Sequence, residues 1–424
     1  MTIGSRTKSW ALHGGVAALT IICTTAAQAQ SPAVVSTAAL QSLNQVFEAA
    51  WARQPEAQTL PSRREAARAQ QNASQAWTPE PAALEMGYRT DRLNRNQGAR
   101  EIEVGVSVPL WLPRERAQST ALSDARAMAV ESGTMAAKLR LAAIVREAWW
   151  QWQRARIEVD IARDQLKNTQ QIAADVERRT GAGDLARSDR HQAQAAVASA
   201  EAHLAQAKAS FAAAQQRLQA LAGHATFAGD VEGGGVEQDP STLMAQSEMH
   251  AAVQELKDKV AVAERSAALT AIQSRANPEL TLTTTRDRGA FGEASKQTFV
   301  MSVRIPFGGG ARHNARTAQA LADALEVQAQ LSLERERLAA EQEAARVRVE
   351  AARTQLAAAV QRASLARESR GFFDKSFRLG ETDLPTRLRI EAEAAEAERQ
   401  VAIIRIELAA AISTKRQTLG LLPQ

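Results

Sequence analysis

Cysteine is nearly absent. Cys23 is the only one in 424 residues, and it falls in an N-terminal stretch that reads as a leader. Disulfide frameworks, cysteine-zinc sites and cysteine nucleophiles are therefore excluded from the rest of the chain. Aromatic residues make up only 4%, with a single tyrosine, Tyr88. A large mixed core uses more ring volume than that, whereas long helices packed through small side chains do not. No charge sign dominates: the formal net charge is +5 with acids and bases interspersed, so no nucleic-acid footprint exists. Beyond the leader, long apolar runs are missing too. Nothing approaches the ~20 residues that span a bilayer as a helix. A membrane-crossing form of this chain must therefore be built of strands in a closed barrel.

Residues 1–29 are expected to be a secretory signal peptide. Arg6 and Lys8 supply the basic start, Ala11–Thr25 the apolar stretch, and Ala27-Gln28-Ala29 the A-x-A site. Cleavage after Ala29 would place Gln30 at the mature N-terminus. Lipidation of Cys23 is the alternative. Against it, lipoprotein signals want a small residue just before the cysteine, and Ile22 is large.

What the sequence does contain is a repeat. Pro81 pairs with Pro278, Pro109 with Pro306 and Gly183-Asp184 with Gly380-Glu381, all at an offset of 197 residues. Between the last two pairs runs a seam of alternating four- and three-residue steps. In the first half it passes through Leu141, Val145, Ala148, Trp152, Ala155 and Val159 and ends at Val176; in the second it runs from Leu338 to Phe373. Such a seam is the mark of coiled-coil packing, and its alanines imply close axes. Each half parses alike. The first repeat, 30–222, carries a helical approach at about 41–76 broken near Pro55 and Pro61, and strands at about 84–90 and 101–110. A long helix, 116–180, and a shorter one, 186–222, follow. A Gly-rich linker, 223–241, leads to the second repeat, 242–424. There the order is a helix at 242–276, strands at about 280–286 and 297–307, a long helix at 311–379 and a shorter one at 386–418. At 1.5 Å per residue the long helices measure ~100 Å and the short ones ~50 Å.

The strands alternate. Ile102, Val104, Val106 and Val108 share one face of the second strand, and Phe299, Met301, Val303, Ile305 and Phe307 repeat that pattern. Six of the twelve prolines flank these strands, where proline ends a helix or suits a strand edge. One apolar face and this length suit a membrane barrel. Four strands cannot close one, since about eight are needed, so the chain must be an oligomer. If the apolar face meets lipid, Glu101 and Glu103 point inward near the external mouth, where they would favour exiting cations. Arg92, Arg95 and Arg100 lie close by and could cancel that field.

Several apparent chemical motifs fail on their spacing. Phe307-Gly308-Gly309-Gly310 sits where a phosphate loop would, but no G-x-G-x-x-G or G-K-[ST] follows. The six histidines do not cluster, and no ligand set appears at helical spacing. No nucleophile elbow is present. Trp149, Trp150 and Trp152 could form an aromatic platform, but Trp152 lies on the seam, where core packing is the simpler role. No catalysis and no cofactor are expected.

The duplicated order of elements resembles the outer membrane factor (TolC) family, the exit ducts of tripartite efflux pumps. The residues carrying the resemblance are Trp77-Thr78-Pro79-Glu80-Pro81 and Ala276-Asn277-Pro278-Glu279-Leu280 before the strands, and Val108-Pro109-Leu110 and Ile305-Pro306-Phe307 after them. The turns Gly181-Ala182-Gly183-Asp184-Leu185-Ala186-Arg187 and Leu379-Gly380-Glu381-Thr382-Asp383-Leu384 add to it. The resemblance implies a mainly helical fold with a small β part. It also implies a homotrimer with a 12-strand barrel in the outer membrane of a Gram-negative bacterium and a helical tunnel through the periplasm. Its partners would be a periplasmic adaptor, an inner-membrane proton-driven pump and outer-membrane lipid. Gly181, Gly183, Asp184, Leu185, Gly380, Glu381, Thr382, Asp383 and Leu384 would form the docking tips. The Gly-Glu-Thr-Asp-Leu turn and the cysteine-free mature sequence look most like the branch exporting cobalt, nickel, zinc or cadmium. A drug or secretion duct of the same family is the alternative, and a periplasmic coiled-coil scaffold the alternative of another class. Where the family carries a gating aspartate pair, this chain has Thr386 and Arg389, so that gate does not transfer.

Overall fold

The structure, a computed structural model, describes residues 42–94, 96–223, 236–240 and 249–424. The expected leader with Cys23, Ala29 and Gln30, together with Arg95 and the glycine run at 233–235, lies outside the described residues.

The chain opens with α1 (Leu43–Ala52) and α2 (Pro55–Ser74). Ser42 and Gln45 close a reciprocal capping box at the start of α1. Pro55 begins α2, where its missing N–H costs nothing. Pro61 does not break the helix, contrary to the sequence expectation. It forfeits one intrahelical bond near the N-terminus, and α2 is held to the next long helix through Arg64 and Glu131 at 2.6 Å and Gln71 and Asp124 at 2.8 Å.

Strands β1 (Ala83–Thr90) and β2 (Arg100–Pro109) lead into α3 (Glu115–Ala182) and α4 (Arg187–Ala222); α5 (Ala251–Ile272), β3 (Glu279–Arg288), β4 (Lys296–Arg304), α6 (Gly310–Arg378) and α7 (Leu384–Thr418) follow. α5 is shorter than the expected 242–276; the residues before 249 lie outside those described, and the helix stops at Ile272 ahead of Asn277-Pro278. β4 stops at Arg304 rather than 307, because its last rung pairs with Glu279, the first residue of β3. Ile305 and Phe307 lie beyond it, and Pro306 has no N–H to extend the ladder.

α3 spans 68 residues and α6 spans 69, so each is ~100 Å long. The seam governs their packing: Leu141, Val145, Trp152, Val159 and Val176 on α3 and Leu338, Ala345, Val349, Ala359 and Ala363 on α6 are all buried. At mid-height the largest apolar cluster joins Phe47 of α1, Val145, Trp149 and Trp152 of α3, Leu218 of α4 and Ile406 of α7. Trp149 and Trp152 sit 5.3 Å apart, centroid to centroid. Burying such side chains contributes ~1.5–3 kcal/mol each, so this girdle is where the helices are held most firmly. The three tryptophans are core residues here, with none more than 7% exposed.

Beside that girdle the segment 236–240, which links the repeats, is seated by charge. The Glu237 carboxylate accepts two bonds from Arg146 of α3 at 3.0 and 2.7 Å, one from Arg416 of α7 at 3.2 Å, and one from the Ser413 hydroxyl. Asp239 is bonded to Lys415 of α7 at 2.8 Å and to Arg353 of α6. At the sheet end, Glu115 plays a similar part. Buried in the first turn of α3, it accepts from Leu112 N, Gln273 and Asn277 at 2.9, 2.8 and 2.7 Å, tying the two strand-to-helix junctions together.

Candidate functional site

The four strands form one antiparallel sheet in the order β1-β2-β3-β4. Paired residues share a face, so the register sorts every side chain. Tyr88, Ile102 and Arg286 are aligned; next come Met86, Val104, Thr284 and Phe299, then Leu84, Val106, Leu282 and Met301, then Val108, Leu280 and Val303. Apart from Thr284 and a polar outer end at Arg286, Gln297, Arg100 and Arg288, that face is apolar, and it is bare: Leu84, Met86, Tyr88, Leu282, Phe299 and Met301 are each 58–76% exposed. An uncovered apolar surface of this extent on a soluble protein would be a liability; facing lipid it is at rest. Tilted strands of 8–10 residues cover about the ~25 Å apolar band of an outer-membrane barrel.

The opposite face is polar. Arg89, Glu101 and Asp287 form one row with Lys296, and Gly87, Glu103, Thr285 and Thr298 the next. Below them lie Glu85, Gly105, Thr283 and Val300, then Ala83, Ser107, Thr281 and Ser302. Glu101 and Glu103 therefore do share the polar face. Their environments differ, because Glu101 is paired to Arg89 at 3.3 Å. From the sequence, compensation is expected of Arg92, Arg95 and Arg100; Arg89 is revealed only by the register. The two outer loops also interlock. Phe291 N donates to Gln97 O at 2.8 Å, Arg288 donates to Gly98 O at 3.2 Å, and Gly98 holds φ +94° directly beneath Phe291.

At the far end, α3–α4 and α6–α7 turn through glycines with positive φ, Gly183 at 90° and Gly380 at 81°. Asp184 N returns to Arg179 O at 2.9 Å and Glu381 N to Ser376 O at 3.0 Å, so the two turns close alike. Asp383 caps α7 by accepting from Thr386 N at 3.2 Å, and bonds from the Thr386 side chain first and its N–H second hold the carboxyl below the usual range. Gly181, Gly183, Asp184, Gly380, Glu381 and Asp383 are exposed, with Thr382 partly covered. Leu384 is not a surface residue. It is 1% exposed, packed with Ile172, Val176 and Phe377, and Leu185 leans on the same cluster. Leucine at these positions joins the two tips, while the neighbouring Leu379, 76% exposed, was not singled out from the sequence. The cluster is ringed by charge. Arg179 and Arg387 each lie over the Phe377 ring, at 4.8 and 4.6 Å, and Arg387 also bonds Asp374 at 2.8 Å and faces Asp175 of α3 at 3.8 Å. Arg389 only pairs with Glu393 along its own helix.

Gly308 and Gly309, at φ 88° and 114° with open space around them, turn the chain from strand to helix. Among the described residues no group of histidine, cysteine or carboxylate side chains is arranged to hold a metal.

The comparisons with known proteins agree with this geometry. Residues 46–224 match the family described as Outer membrane efflux protein. That match covers most of the first repeat and less than half of the chain. No curated protein sequence matches the chain, but solved structures do. The CusC crystal structure superposes with TM-score 0.74 at 16% identity, over 90% of this chain and 92% of that one. The Campylobacter jejuni CmeC outer membrane channel gives 0.71 at 14% identity, over 89% and 85%. The Neisseria gonorrhoeae MtrE channel in its open state gives 0.69 at 16%, over 92% and 93%. Identities this low establish the fold, a TolC-like one. The family match over residues 46–224 agrees with that fold.

Proposed function

We propose that this protein is an outer-membrane efflux channel, the exit duct of a tripartite pump. Three copies close a 12-strand barrel, and the helix tips meet a periplasmic adaptor and a proton-driven inner-membrane pump. The observation that carries the reading is the sheet: four strands with one bare apolar face and one polar face, set on helices ~100 Å long. A sheet with two free edges needs neighbours to satisfy its backbone in lipid, where an unpaired N–H or C=O costs several kcal/mol. A periplasmic scaffold has no use for that face.

Heavy-metal cations are the cargo we favour over drugs. The polar face carries carboxylates along the exit path, and the Gly380-Glu381-Thr382-Asp383-Leu384 turn resembles the metal-exporting branch. Two experiments test the reading. Fractionation should place the protein in detergent-extractable outer membrane as a trimer; recovery in the soluble periplasm would end the duct reading. Deletion should sensitise cells to cobalt, nickel, zinc or cadmium. Sensitisation to hydrophobic drugs alone would move the assignment to the drug-export alternative. Docking is tested by Gly183→Arg with Gly380→Arg, which should abolish resistance while trimers remain.

A further inference from the structure

The barrel wall contains eight ionisable side chains on its polar face, and the register sorts them into neutral pairs and an unmatched remainder. Arg89 and Glu101 face each other across β1 and β2, 3.3 Å apart. Asp287 and Lys296 are rung partners on β3 and β4. Glu279 and Arg304 close the periplasmic end at 3.9 Å. Two carboxylates are left, Glu103 and Glu85. The residue across the strand from each is a glycine: Glu103 is opposite Gly87, and Glu85 is opposite Gly105. The other side chains in their two rows are threonine and valine. No cation of the same chain shares either row.

The glycines shape the surface as well. A Cβ at Gly87 would stand 3.5 Å from Oε2 of Glu103, so the carboxylate lies over the bare backbone there. Glu103 and Glu85 are diagonal neighbours, ~7–8 Å apart by strand geometry. They form two adjacent levels of negative charge beneath a neutral row.

We propose that Glu103 and Glu85 set the ion preference of the duct, and that Glu101, although it faces the same lumen, does not. The inference rests on the trimeric duct reading, in which three copies bring six unmatched carboxylates to two levels of one wall. The effect is that of a field and needs no bound ion. The charge raises the local concentration of cations and lowers that of anions. At 0.1 M salt its reach is ~10 Å, and at 1 M only ~3 Å, so the preference belongs to low salt.

Additivity of charge dictates the test. Glu101→Gln alone would strand Arg89 and so mimic the loss of a true lumen charge. The informative variants remove a set as a whole. In planar bilayers under a salt gradient, Glu85→Gln with Glu103→Gln should lower the cation-over-anion permeability ratio by about two-fold or more. Arg89→Gln with Glu101→Gln removes a neutral pair and should leave the ratio unchanged. Arg89→Gln alone frees a third carboxylate and should raise it. Single-channel conductance at 1 M salt, equal to wild type in all variants, shows that each has folded. An equal shift in both double variants, or none in Glu85→Gln with Glu103→Gln, overturns the assignment while the duct stands. A wild-type protein that forms no channels overturns the duct reading itself.

Discussion

Glu237 offers the sharpest test of what holds the two repeats together. Its side chain is fully buried and accepts from Arg146, Arg416 and Ser413, while both guanidinium groups are 4–5% exposed. Arg146 reaches further, donating to Leu421 O at 3.0 Å, and Arg416 donates to Gln238 O at 3.0 Å. Removing one partner of a buried ion pair typically costs ~3–5 kcal/mol, because an uncompensated charge stays behind. Glu237→Ala strands two such charges, so the loss belongs at the upper end, ~5 kcal/mol, and Glu237→Gln, which keeps the volume and one acceptor, somewhat lower. Against a typical stability of ~5–15 kcal/mol, that is enough to loosen the girdle. Detergent-solubilised protein followed by far-UV dichroism in rising denaturant should show a midpoint well below wild type. Replacing the triad together by apolar side chains, Arg146→Met, Glu237→Leu and Arg416→Met, should restore much of the loss, since a well-packed apolar core can match a buried ion pair. If Glu237→Ala costs under ~1 kcal/mol, a figure typical of exposed pairs, water reaches the carboxylate and the linker is no staple.

Gly98→Ala should unlock the outer loops, because a Cβ there would stand 2.7 Å from Phe291 N and the φ of +94° alone costs a side chain ~1–2 kcal/mol; protease should then cut residues 91–99 faster in proteoliposomes. Arg387→Ala removes the cation shared by Asp374, Phe377 and, more distantly, Asp175, and spin labels on Ala186→Cys and Glu381→Cys should report wider-spaced tips. An unchanged distance would make Arg387 decorative. His250 caps α5 by accepting from Ala252 N at 3.3 Å, and burial pushes its pKa below 6.5, opposed more weakly by a bond to the Gln417 backbone and then by Glu334 and Glu341. Its neutral form is the folded one, so its contribution is complete above pH 6.5 and declines as pH falls from there toward its depressed value. The protection factor of the Ala252 amide against hydrogen exchange should fall over that interval, and His250→Asn should flatten the response.

The fold was legible because its signals are periodic. The heptad seam and the strand alternation each repeat the same physical requirement, one buried or lipid-facing side, many times over, so local irregularities do not shift them. Pro61 shows the limit of single-residue rules. It sits near a helix start, where one missing bond is tolerated and contacts from α3 decide the outcome. Pairings across the chain were not legible. Arg89 beside Glu101, Arg387 between the tips, and the linker carboxylates on Arg146 and Arg416 join residues 12 to 212 positions apart. Each looks like an ordinary surface charge until the strands and helices are registered. Leu384 misled for the opposite reason. It follows a turn full of polar residues, yet it is the first residue of α7 and faces the tip cluster rather than the periplasm.

The two repeats are alike in order but not in cover, and that difference bears on assembly. α1 and α2 pack against α3, which buries about twice as many residues as α6. α6 has no such escort on its outer side. It leaves Leu321, Leu325, Leu333, Val347, Leu365 and Phe372 between 51% and 65% exposed, on a helix whose opposite seam is filled. A water-facing helix of this composition gains nothing from those side chains, since each buried one is worth ~1.5–3 kcal/mol and each exposed one nothing. The sheet repeats the same incompleteness, with β1 and β4 both ending in unpaired edges. One chain therefore presents free strand edges and an uncovered apolar helix stripe. Neighbouring copies that pair the edges to close the barrel also bring helices alongside α6, so one assembly step answers both deficits. This double deficit is why we propose a closed ring of chains rather than a monomer inserted in the membrane.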